Sequence, residues 1–84
     1  MSEPIPFPGA VHAIGETFRA WTIRAGREEA ERRGIVSADI DAVTEHDRRF
    51  AIYMLGQLGS RDLDHQRCGE VGLRRLIGSM KAAA

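Results

Sequence analysis

Only one cysteine, Cys68, occurs in the chain, which excludes an intrachain disulfide. A secreted domain of 84 residues generally needs such cross-links to supplement a small core, so the expected compartment is reducing. Long apolar runs are also missing. None approaches the ~18 residues that span a bilayer, and Ser2, Glu3 and Pro4 do not begin a basic, then apolar, leader. A cytoplasmic protein is the expectation. Net charge is zero, with twelve basic residues against twelve acidic ones, so no global field draws the chain to nucleic acid or anionic lipid. Any such attraction must be local.

Catalytic and cofactor signatures are equally scarce. Neither CxxC nor HExxH occurs, and Gly69-Glu70-Val71-Gly72 has no preceding strand to make it a phosphate loop. Asp62, His65 and Cys68 follow one another at three-residue steps, and His12 and Glu16 at four, but neither set supplies the ligands of a zinc site. Cys68 with His65 lacks an orienting group and an oxyanion site, so it reads as a small buried thiol beside a surface histidine rather than a nucleophile. No metal and no cofactor is expected, and the chain reads as non-enzymatic.

What is present suffices for one folded domain: 43% hydrophobic and 29% charged residues are globular proportions. All of the basic residues but Lys81 are arginine, a bias of GC-rich bacterial or phage coding. The prolines Pro4, Pro6 and Pro8 forbid regular structure at the start, so residues 1–8 are expected to be an extended head, lying along the surface. Residues 9–84 then form a single helical domain.

Spacing predicts three helices. From about 9 to 33, Val11, Ile14, Phe18, Trp21 and Ala25 step by three and four and share one stripe, and Gly34 ends the helix. Its last third carries Arg24, Glu28 and Arg32, with Glu29 and Arg33, as i,i+4 pairs and is expected to project into water. Ser37 reads as the N-cap of a second helix over 38–58, whose inward face gathers Ile40, Val43, Phe50, Ala51, Met54, Leu55 and Leu58. Asp47 falls near the middle of that apolar face and therefore needs a partner. After Gly59, Ser60 or Asp62 can cap a third helix over 62–80, with Leu73, Leu76, Ile77 and Met80 on one side. Gly69, Gly72 and Gly78 weaken it, and a break is open at the first two. The fold expected is all-α: a small three-helix bundle behind an extended Pro-rich segment.

Two surfaces could carry a binding function. Ile23, Ile52 and Tyr53 fall off the main stripes and would form an interface anchor if they cluster; Asp47, Arg24, Glu28 and Arg32 would supply polar contacts. Arg67, Arg74 and Lys81 recur every seven residues, with Arg61 and Arg75 nearby, as a basic seam that could track phosphates, although Glu70 adjoins it and no aromatic lies in that segment. The turn at Gly59 matches helix-turn-helix spacing poorly. The expected function is therefore that of a stoichiometric protein-binding module of bacterial or phage origin. It would be an inhibitor or adaptor occluding a face of a larger protein or nucleoprotein complex, for example an anti-CRISPR-type inhibitor of a host defence complex. The alternative is a small DNA- or RNA-binding regulator using the seam. Either could be a monomer or a homodimer.

Overall fold

Turns decide where the helices begin. The computed structural model describes residues 13–83, and among these every regular element is helical: α1 (Phe18–Arg32), α2 (Ser37–Asp41), α3 (Glu45–Leu58) and α4 (Leu63–Ala83). The all-α class stands, with a one-turn helix added to three long ones. The Pro-rich head, His12 and the first positions of the expected first helix lie outside the described residues.

α1 starts later than its apolar spacing implied, because Gly15 turns the chain at φ +82 and Thr17 is extended. Thr17 Oγ1 accepts the Ala20 amide at 3.1 Å, satisfying one of the first-turn donors that have no helical partner. Ile14, on the wrong side of that cap, is fully exposed instead of lying on the buried stripe. The other end closes as a Schellman motif. Gly34 takes φ +85, the Ile35 amide donates to the Ala30 carbonyl at 2.8 Å, and Gly34 donates to that of Glu31 at 3.0 Å. Ile35 and Ala30 are both buried, which supplies the apolar contact of this motif.

The expected second helix is two helices. Ser37 is the first residue of α2 rather than its cap; Val36 holds the cap position, and the Ser37 hydroxyl accepts from Arg27 at 3.2 Å. α2 ends after one turn, and extended Thr44 starts α3. The β-branched pair Val43-Thr44 loses little by leaving the helix there, and the turn buries Val43. The break also relocates Asp47. It lies half-buried in the first turn of α3, at the positive end of the helix dipole, where Thr44 Oγ1 donates to its Oδ2 at 3.3 Å.

α3 is the central helix, packed on both α1 and α4, with Ala51, Met54, Leu55 and Leu58 buried between them. Close approach is made possible by glycines. A Cβ on Gly26 would collide with the Leu55 carbonyl, and one on Gly59 with the Thr22 carbonyl, so α1 and α3 cross backbone to backbone. At the other crossing, a Cβ on Gly69 would lie 2.6 Å from the Met54 carbonyl oxygen, and one on Gly72 would strike the Met54 thioether. α4 is continuous through both, so the residues that weaken it as an isolated helix are the ones that let it dock. Leu73 and Ile77 enter the core beside Ile35, Ile40 and Val43. Phe50, expected inside, is 46% exposed at the edge of this packing.

The arginine-rich end of α1 does not project into water. Glu29 is buried and accepts from Arg32 Nε at 2.8 Å and Arg33 Nε at 2.6 Å. Arg33 reaches across to α4, donating to Glu70 Oε1 at 2.7 Å and to buried Gln66 Oε1 at 2.9 Å, while Arg74 donates to Glu70 Oε2 and the Arg33 carbonyl. Burial pushes the Glu29 carboxyl up, but the hydrogen bonds from Arg33 and Arg32 outweigh it and hold it below the usual carboxylate range. The hydrogen bonds of Arg33 and Arg74 hold Glu70 down likewise.

Candidate protein-binding groove

The start of α1, the last two turns of α3 and the start of α4 meet around an open groove of about 320 Å³. Local chemistry fixes each wall. Glu16 accepts the Ala13 amide and clamps Arg24 through two hydrogen bonds of 2.8 and 2.9 Å, so the turn before Thr17 is held and Phe18 and Arg19 emerge in a defined first turn. The same contact raises the Arg24 guanidinium above its ordinary value. Phe18 sets its ring edge-on to Trp21, centroids 6.2 Å apart, and remains 54% exposed.

Opposite it, Tyr53, Gly56 and Gln57 follow at helical spacing down α3, and Ser60 continues the line in the turn beyond its end. Tyr53 is 62% exposed, and Gly56 meets no atom within 4 Å of where a Cβ would stand. Its missing side chain leaves the groove open.

The third wall is a tightly bonded turn. Asp62 Oδ1 accepts the amides of Asp64 at 2.8 Å and His65 at 3.2 Å, capping α4, and Ser60 Oγ accepts the Asp62 amide at 3.1 Å. Those backbone donors, His65 first, hold the Asp62 carboxyl below its usual range. Buried Gln66 donates to the Ser60 carbonyl at 2.7 Å, and His65 Nδ1 lies 3.4 Å from Ser60 Oγ. Arg61 lines the groove from this turn and His65 from the start of α4.

Of the residues singled out in the sequence, Ile23 and Tyr53 come together here. Ile52 does not. It lines a separate depression with Arg27, Asp41 and Arg48, because consecutive residues of a helix diverge by ~100°. Arg24 bridges Glu16 and Glu28 on α1, and Arg32 is engaged with Glu29, so neither contributes to the groove. Asp47 serves its own helix end. Phe18, Arg19, Gly56, Arg61 and His65 were not anticipated as groove residues; the available signal was the small and polar stripe from Tyr53 to Ser60 at i, i+3, i+4 and i+7.

The basic seam is largely neutralised. Arg67 lies 3.7 Å from Asp64, Arg74 is bonded to Glu70 at 2.9 Å, and Lys81 to Asp39 of α2 at 3.0 Å; Arg75 is exposed. Cys68, expected to be buried, is exposed. Asp62 spends its carboxylate on the helix cap, and among the described residues no three His, Cys, Asp or Glu side chains surround a common point. No helix among the described residues is long and apolar enough to cross a membrane. No protein-family model, curated protein or solved structure matches this chain.

Proposed function

We propose that this chain is a non-enzymatic, stoichiometric protein-binding module, an inhibitor or adaptor that occludes a face of a larger complex, and that the groove between α1 and α3 is its anchoring surface. The observation that carries this reading is the pair Phe18 and Tyr53, both more than half exposed, standing on either side of one concave surface. Large aromatics left in water beside a cleft are what an interface uses as anchors, since burying each removes much apolar area from solvent at little entropic cost. The groove is formed by elements already fixed by core packing, so little ordering would oppose binding.

The seam on α4 gives the nucleic-acid reading less support, because three of its cations already face carboxylates and a phosphate would have to compete with them. The test is affinity capture by the intact chain from lysate of the cell that encodes it, with and without nuclease, beside two variants. A single protein complex retained after nuclease, lost with Tyr53→Ala and kept when Arg67 and Arg74 are both replaced by alanine, is the expected result. Nucleic acid alone, released at moderate salt and lost with the double arginine variant, would overturn the proposal.

A further inference from the structure

Resting on that reading, we infer that the groove takes an acidic amphipathic segment of the partner, an apolar side chain seated between Phe18 and Tyr53 with flanking carboxylates on Arg19 and Arg61. The lining gives the charge sign: besides its apolar and neutral residues the groove holds Arg19, Arg61 and His65 and no carboxylate. Arg24, Arg27, Arg32, Arg33, Arg48, Arg67 and Arg74 each face an acid within 4.0 Å, whereas Arg19 and Arg61, like Arg49 and Arg75 outside the groove, have no ion pair among the described residues.

Arg19 is also placed against the local field. It lies in the first turn of α1, which contains no acidic residue, so its charge opposes the positive end of the helix dipole. An arriving carboxylate satisfies guanidinium and dipole together, in the short charge-assisted geometry that arginine favours. The apolar floor limits how much of the ligand can be charged: Ile23, Tyr53 and the bare backbone at Gly56 accept an aliphatic or aromatic side chain. A polynucleotide fits less well, since two arginines beside an apolar floor offer only a short track for phosphates.

The test is selection of a random peptide library on the intact chain, on Tyr53→Ala and on the double variant Arg19→Glu, Arg61→Glu. Glutamate in the first turn suits α1, so the double variant should fold; its thermal melting checks this. The expected peptides combine an aromatic or aliphatic residue with neighbouring Asp or Glu, weaken by about tenfold or more on the charge-reversed variant and lose affinity as salt rises. Selection on that variant should then enrich Lys and Arg. Peptides that need Tyr53 but carry no acidic bias overturn the charge assignment and leave the protein-binding groove standing. If no selected peptide depends on Tyr53, both fall.

Discussion

Glycine has opposite meanings at two positions one turn apart on the same stretch of chain. Gly59 stands where a Cβ would drive into the backbone of α1, and its counterpart Gly26 meets α3 in the same way; Gly56 faces empty space. Alanine at Gly26 or Gly59 should therefore separate the helices and cost about 3 kcal/mol or more, as overpacking against backbone does. Alanine at Gly56 should stabilise by up to ~1 kcal/mol through helix propensity. Denaturant titration of the three variants separates the outcomes, and equal effects would mean that the α1–α3 crossing is not as close as described. Glu29 gives a second residue-scale prediction. Glu29 and Glu70 both have carboxyls held below the ordinary range by arginine, so their stabilising contribution is complete above the ordinary glutamate pKa of about 4.3 and is lost as pH falls through the depressed folded values. Denaturant midpoints taken from neutral pH down to about pH 3 should fall at the acid end, and Glu29→Gln should flatten that fall while lowering stability at pH 7.

At the scale of elements, the end of α1 is the boundary best encoded locally. Gly34 at φ +85 has the left-handed conformation that a side chain resists, so Gly34→Ala should cost about 1 kcal/mol although nothing lies within 4 Å of the added methyl. A thermal midpoint lowered by several degrees checks it; no change would mean that the Schellman turn contributes little. That boundary was legible because one glycine closes one helix. The break at residues 42–44 was not, because Ile40 and Val43 continue in phase with Ala51 and Met54, and an apolar stripe does not reveal that the backbone turns extended at Thr44. Asp47, the acid that sat badly on the expected stripe, was the signal: three residues after Thr44 it belongs to a helix start. The late start of α1 was hidden likewise, since Ile14 matched the period while Gly15 and Thr17 supplied the turn. Reach, rather than period, decided the arginine-rich end. The i,i+4 pairing of Arg33 with Glu29 was readable, but its second bond, to Glu70 on α4, spans a sequence separation that no local pattern encodes.

For the whole molecule, the groove collects residues from three elements, so only its α3 wall could have been read along the chain. Tyr53 and Ile23 were visible as misfits to their helices; Arg19 and Arg61 were not, because an arginine without a carboxylate partner is a property of the assembled fold. This separation between core and groove permits a test of function that leaves stability aside. Gly56 lines the groove and a Cβ there would meet nothing within 4 Å, so Gly56→Leu should fill the cleft with a helix-favouring side chain and leave the α1–α3 crossing intact. The expected outcome is a thermal midpoint at or above that of the parent together with loss of the retained partner, equivalent to a weakening of about a hundredfold if the anchoring side chain is excluded. Arg67→Ala with Arg74→Ala is the matching control on the opposite logic: it removes an inter-helix bond from Arg74 to the Arg33 carbonyl and should lower stability modestly while partner binding persists. If the leucine variant binds normally while the double arginine variant does not, the anchoring surface is the seam on α4 and the groove is an unused gap between helices.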